Sequence, residues 1–552
     1  MKNSTSKYED FRELHEDGHD SGVVDDDGAV LYETPYSLLL NAFVRYNDVD
    51  KLARYLQNHD YANYGHVEVY NWDPFYIAAE YGSTEALDLL IKHYNAHSTD
   101  TKMKPLEKRG FRLLHVACLN AVSRLYCFCW ILNPRWQVST SKGDPSKWQD
   151  YETPILSAAD TFSYIPRGFG FEDLEIRTQL ARAEELMNKL LNRGASARDV
   201  LISSFDKHIL DTVLSRAISR ASYSLVKRLV TEGADVHTHT IQHISSFSSG
   251  PQDETVQGVT PLHLGSLHAN LDGIQALFGL RGNKATVVEI AHSKDSAGRL
   301  PLHWAARGSH GPEYCYMIPR DEIVAHVAST IELLLTIAPD TINVKDNRGN
   351  NALWYMVSLF REHINQYYVV LKFLFELGAD ANMRNQNGMN MLHVLGFTQN
   401  GEAIDPVIIE RLVVHGANLS DIDILGNTPL NQMAINLRQV EAVRALLRCG
   451  ASMNVKNMKG DSPLHQAAHG RVFCYKDGTG IEGHGVPLDA KIKAQDEMMK
   501  VLEEAGSGLD LMNEKNIDGK TSRQLLEETR NKWRQQEQER LSRVSRSANK
   551  TM

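Results

Sequence analysis

Apolar residues in this 552-residue chain recur mainly at helical spacing. Val440-Glu-Ala-Val-Arg-Ala-Leu-Leu447 places its apolar side chains on one stripe of a helix, and Gly450 follows as a left-handed stop. The pattern starts at Tyr32, where Thr34-Pro35-Tyr36-Ser-Leu-Leu-Leu reads as a first helix pair. Further pairs open near Asp73-Pro74, Gly110, Thr153 and Asp211, and then more regularly at Gly258, Gly298, Gly349, Gly388, Gly426 and Gly460. A last pair opens at Gly519, where Thr521 and Gln524 have the spacing of a capping box.

A short phrase marks these openings. It reads Gly258-Val-Thr-Pro-Leu-His263, Gly298-Arg-Leu-Pro-Leu-His303, Gly388-Met-Asn-Met-Leu-His393, Gly426-Asn-Thr-Pro-Leu-Asn431 and Gly460-Asp-Ser-Pro-Leu-His465. A second phrase, Gly-Ala followed by Asp, Asn or Ser, recurs at 233, 378, 416 and 450. The Gly-Ala phrases at 416 and 450 lie 34 residues apart, as do Gly426 and Gly460. Two phrases locked to one period predict a stacked repeat rather than a closed globule. The physics of the phrase supports this. Gly allows a positive φ at a tight turn, Thr caps a helix and Pro fits its first position. One such unit cannot bury its own apolar face, so neighbours must stack.

These residues resemble the ankyrin repeat, about 33 residues long with a Thr-Pro-Leu-His-x-Ala signature. The resemblance covers roughly residues 34–535, with degenerate copies at Arg112-Leu-Leu-His115 and Asn351-Ala-Leu-Trp354. It implies an all-α fold: a solenoid of stacked helix-turn-helix units with β-turn fingers and long loop insertions. The chain divides into an acidic, disordered segment at 1–32, divergent repeats at 33–257, clearer repeats at 258–520, and a capping helix with a mixed-charge tail at 521–552. Repeat intervals longer than the basic period predict insertions at 134–150, 160–178, 238–256, 308–322 and 470–490. Such insertions can shape a binding site or simply be tolerated. The style of the array is similar to long, insertion-rich ankyrin proteins of filamentous fungi, some of which accompany biosynthetic gene clusters as regulators.

Composition narrows the function classes. Hydrophobic residues make up 42% of the chain, enough for a core throughout, and the formal net charge is −10. An acidic chain is a poor candidate for direct nucleic-acid or anionic-membrane binding. No apolar run of about 18 residues occurs, and the N-terminus lacks a signal segment, so no membrane partner is expected. The six scattered cysteines read as reduced thiols of a cytoplasmic or nuclear protein.

Catalytic and cofactor signatures are not found. His115, His263, His303, His393 and His465 share one phrase position, where a ring nitrogen can tie a turn to the neighbouring repeat. His465 and His469 have zinc-protease spacing, but Gln466 stands where the general base belongs. Cys127 and Cys129 have no second pair. Gly478-Thr-Gly480 and Gly168-Phe-Gly170 follow no strand and carry no phosphate-binding lysine. The expectation is therefore no enzyme, no cofactor and no metal.

Binding is the positive reading. The resemblance implies that partners contact the turn tips, where this chain places Asn347, Arg348, Gln386, Asn387, Met389, Ile424, Leu425, Met458 and Lys459. Apolar residues at consecutive tips suggest a contact row. The chain is thus expected to be a monomeric scaffold for another protein. Alternatives are a nuclear transcription coregulator, suggested by the basic residues of the tail, and an accessory subunit or degenerate enzyme.

Overall fold

In a computed structural model, the described residues are 7–14, 16, 18–33, 39–58, 74–81, 83–96, 153–163, 173–202, 208–244, 254–279, 284–308, 320–360, 364–365, 367–397, 403–472, 486–506 and 510–548. They fall into two compact units. The first comprises residues 1–243, 257–265 and 270–283, and the second comprises 244–256, 266–269 and 284–552.

The first unit opens with a β-hairpin, β1 (His19–Val24) and β2 (Val30–Glu33). Helices α1 (Leu39–Arg45), α2 (Val49–Asn58), α3 (Pro74–Tyr81) and α4 (Thr84–Ala96) follow, and α1 packs on both α2 and α3. Next come α5 (Pro154–Ser163), α6 (Asp173–Asn192), the strands β3 (Val200–Ile202) and β4 (Ile209–Thr212), α7 (Val213–Ala217) and α8 (Tyr223–Thr231). Thr212 caps α7 by a reciprocal bond pair with Ser215, which sets the opening expected near Asp211. Strands β5 (Thr240–Ile244) and β6 (Glu254–Val259) pair with each other, ahead of α9 (Pro261–Leu267) and α10 (Leu271–Phe278).

The described strands correct two expectations. The fold is mostly α rather than all-α, since the described residues include three two-stranded sheets. The acidic segment expected to be disordered is folded over its described residues. Asp25-Asp-Asp-Gly28 is the turn of the β1–β2 hairpin: the Asp25 amide donates to the Ala29 carbonyl, and Gly28, at φ 84°, donates back to the Asp25 carbonyl. Its charges are neutralised locally. Arg12 contacts Asp25 at 2.7 Å, and the nearly buried Lys51 ammonium reaches Asp26 at 2.6 Å and Asp48 at 3.1 Å. Tyr8 is buried edge-on against Phe43 and donates to Asp48 at 2.9 Å.

The second unit carries the regular repeats: α11 (Lys284–Ala291), α12 (Pro301–Arg307), α13 (Arg320–Ile337), α14 (Ala352–Phe360), α15 (Tyr368–Glu376), α16 (Met391–Gly396), α17 (Pro406–Val414), α18 (Pro429–Ala434), α19 (Val440–Arg448), α20 (Pro463–Ala468), α21 (Leu488–Ala505) and α22 (Ser522–Ala548). The short phrase helices pack on one another in chain order, α12 on α14, α14 on α16, α16 on α18 and α18 on α20. Leu302, Leu353, Leu392, Leu430 and Leu464 sit at equivalent, fully covered positions in this core, with Ala305, Ala434 and Ala467 between them. Both halves of the Thr521–Gln524 capping box form at the start of α22. Trp304 is core, and its indole donates to Asp295 at 2.9 Å. Tyr355 is only half-buried and donates to Asp346 at 2.7 Å.

Of the expected insertions, 134–150 lies outside the described residues, and the others are described only at their edges. Strands β5 and β6 form the arms of 238–256, while α13 and α21 begin inside 308–322 and 470–490. The opening at Gly110, His115, the pair Cys127 and Cys129, and the glycine clusters at 168–170 and 478–483 also lie outside them.

Gly388 shows how tightly these turns are held. Its φ is 72°, and a Cβ placed there would stand 2.7 Å from the Ile422 carbonyl oxygen of the next turn. Gly378 also has a positive φ, 89°, but faces open space. Gly378→Ala is expected to cost about 1–2 kcal/mol, the penalty of left-handed backbone alone. Gly388→Ala must also displace the neighbouring turn and should cost about 3 kcal/mol. Urea unfolding of both variants checks this, and equal losses would refute the contact argument.

Candidate functional site

The turn tips of the second unit are built to one plan. Each begins with Asp or Asn: Asp295, Asp346, Asn385, Asp423, Asn457 and Asn516. Its amide donates to the carbonyl four residues on, and the glycine at the fourth position donates back to its own carbonyl. In the tips begun by Asp295, Asp346, Asn385, Asp423 and Asn457, the side-chain oxygen of that residue accepts two further amides. Asp423, for example, holds Leu425 at 2.9 Å and Asn427 at 2.8 Å. The choice of Asp or Asn follows from this, because a short side-chain acceptor is what closes such a turn.

Consecutive tips are joined through the backbone. The amide at the second turn position donates to the third-position carbonyl of the preceding tip: Asn347 to Ala297 (2.9 Å), Gln386 to Arg348 (3.3 Å), Ile424 to Asn387 (3.0 Å), Met458 to Leu425 (2.9 Å) and Ile517 to Lys459 (3.0 Å). The result is a row of tips in fixed register.

The phrase histidines bind the layer beneath. Leu300, Asn390 and Ser462 donate their amides to Nδ1 of His303, His393 and His465 at 3.0, 3.2 and 3.3 Å. A backbone amide can only donate, so Nδ1 is the acceptor and the ring proton sits on Nε2. From there it reaches the next repeat: Val344 and Asn350 from His303 (3.1 and 3.2 Å), Asn427 from His393 (2.9 Å) and Glu514 from His465 (3.1 Å). Asn431 does the same work with an amide, donating to Val455 and Asp461. Burial pushes the imidazoles of His303, His393 and His465 below their ordinary value, so the neutral form required by this bonding is the stable one. His465 is therefore committed to its neighbour. Among the described residues, no group of three His, Cys, Asp or Glu side chains could hold a metal ion.

Each tip residue singled out from the sequence can now be placed. Ile424, Leu425 and Met458 are 60%, 59% and 68% exposed on two adjacent tips. Arg348, Asn387 and Lys459 are exposed at the third turn position. Asn347 and Gln386 are exposed, but their amides already bond the preceding tip, to Ser296 at 3.1 Å and Asn347 at 2.7 Å. Met389 is not at the surface of the row. It follows the glycine, is half-buried, and its carbonyl closes its own turn. Sequence reasoning overlooked Ile517, 75% exposed at the second position of the last tip. The turn pattern Asn516-Ile-Asp-Gly519 was the available signal.

A family model described as ankyrin repeats, in three copies, matches residues 359–457. Rabankyrin-5 of Mus musculus is 23% identical over 298 residues, 51% of this chain and 22% of that protein. The B-cell lymphoma 3 protein homolog of Mus musculus is 25% identical over 214 residues, 38% of this chain and 41% of that protein. The chain thus carries ankyrin repeats. The intracellular phospholipase A2 of Caenorhabditis elegans is 33% identical over 144 residues, 25% of this chain and 13% of that protein. The chain spans well under half the length of each of these relatives. No described helix of this ankyrin-repeat chain is long and apolar enough to cross a membrane.

The neutral histidines make stability pH-dependent. The folded chain holds them below their ordinary value of about 6.5, so the unfolded chain takes up protons first as pH falls. Their contribution is full above about pH 7 and declines as pH drops through about 6.5 toward the lower folded-state values. A variant with His303, His393 and His465 all changed to Asn, the residue found at 431, should lose most of this slope between about pH 7 and pH 5. Urea midpoints measured across that range decide it, and a flat wild-type profile would refute the assignment.

Proposed function

We propose that this ankyrin-repeat chain is a non-catalytic scaffold that binds another protein through the turn tips of its second unit. The observation carrying this reading is the exposed apolar pair of tips, Ile424-Leu425 and Met458, on a row whose backbone is held in register by tip-to-tip hydrogen bonds. Exposed apolar clusters on a rigid support favour partner contact, because little ordering cost is left for binding. Ile517 extends the cluster to a third tip. Arg348, Asn387 and Lys459 form its polar margin, with Asn347 and Gln386 beside them. Met389 supports the turn from inside. The scaffold acts as a monomer, since α22 covers the last phrase helix with a long charged helix.

A nuclear coregulator role is a finer form of the same reading. It is supported by the basic residues of the C-terminal tail, and loss of nuclear accumulation on deleting residues 530–552 is its test.

Ile424→Asp, Met458→Asp and Ile517→Asp combined should leave helix content and the unfolding midpoint essentially unchanged, since all three side chains face solvent. The same variant should lose a specific co-purifying protein that the unmodified chain retains. Identical sets of co-purifying proteins would rule out the tip row as the interface.

A further inference from the structure

Immediately before each turn residue of the second unit stands a position that is almost always basic. Lys294, Lys345, Arg384, Lys456 and Lys515 precede Asp295, Asp346, Asn385, Asn457 and Asn516, and all five are exposed. Ile422, 49% exposed, takes this place before Asp423. The column runs against the average of the chain, whose net charge is −10. Asp295, Asp346, Asp423 and Asp461 lie behind the column, but they are buried and their oxygens hold turn amides or neighbouring side chains. Asp518 is the exposed acid of the described tips. Arg384 faces Asp421 at 3.4 Å and Lys456 faces Glu514 at 2.7 Å. No described carboxylate lies within ion-pair distance of Lys294, Lys345 or Lys515.

The apolar residues occupy one end of the same edge, at Ile422, Ile424, Leu425, Met458 and Ile517. Packed helices stand about 8–10 Å apart, so successive tips should repeat at that interval. A peptide in the extended polyproline II conformation rises about 3.1 Å per residue with three residues per turn, so every third side chain returns to the same face about 9 Å on and meets the next tip.

We propose that this edge binds an extended acidic segment of a partner protein, with carboxylates at every third residue and apolar side chains at one end. The proposal rests on the reading that the tips take the partner, and adds the chemistry of what they take. The basic column supplies long-range attraction and the register, while the apolar tips supply the contact that excludes water. A lipid surface is the less suitable occupant. The column is a single file of charges at a fixed repeat, which matches an extended chain with a threefold side-chain repeat better than a fluid plane.

The test uses the full chain and a fluorescent synthetic peptide with Glu at every third position and two Leu at one end. Three controls accompany it: a scrambled peptide of the same composition, a Gln-for-Glu peptide, and phosphatidylcholine vesicles containing phosphatidylserine. The expected result is saturable binding of the first peptide, weakening with salt. It should be at least about tenfold weaker for the scrambled peptide and for the triple variant Lys294→Glu, Lys345→Glu and Lys515→Glu. Thermal melting confirms that this variant is folded. Equal binding of the scrambled peptide, or binding to vesicles but not to the peptide, would overturn the proposal. If the apolar-tip variant loses its cellular partner while the lysine variant keeps it, the scaffold reading survives and the acidic-segment proposal fails.

Discussion

The second unit depends on the hydrogen bond that runs from the second residue of each turn to the preceding turn, as from Ile424 to the Asn387 carbonyl. A turn tip far from the helical core has little apolar area to hold it. Without this bond each tip would be an independent surface loop, and its side chains would sample many positions. With it, five successive junctions from Ala297 to Ile517 share one register. The bond also explains two sequence requirements together. Glycine at the fourth position permits the left-handed backbone, and at Gly388 and Gly426 it also leaves room for the next tip, whose backbone passes within about 3 Å of where a side chain would begin.

The histidine layer does for the helix starts what this bond does for the tips. An imidazole with its proton on Nε2 accepts from its own helix cap and donates across the repeat boundary, so one side chain satisfies groups on two repeats. Buried polar groups are costly unless bonded, which is why the phrase tolerates His or Asn here and why the ring stays neutral. The substitution of Trp354 at this position is accommodated differently. Asn351 takes over, accepting from the Trp354 amide and donating to Asp380 on the next repeat.

Together these two layers produce a rigid frame whose exposed positions carry little structural duty. Ile424, Met458 and Ile517 contribute their backbone to the row and leave their side chains in solvent. Lys294, Lys345 and Lys515 stand one position before the residue that closes each turn. A surface of this kind can vary its side chains without altering its fold, which is how one architecture serves many partners.

The periodic phrases by themselves determined the type of repeat, the helical character of the chain and the placing of the regular repeats, because Gly, Pro, Thr and His act through local backbone geometry. They also pointed to the tips. Tertiary structure decided which tip residues are available. Met389 and Met458 look alike in sequence, yet the first follows its glycine and turns inward, while the second precedes it and faces solvent. Asn347 and Gln386 read as free polar contacts, but their amides join neighbouring turns. The acidic run at Asp25 reads as disordered by charge alone, because the lysine and arginine that hold it are distant in sequence or belong to another element. Exposure and charge pairing are properties of what surrounds a side chain, and only the folded chain brings those surroundings together.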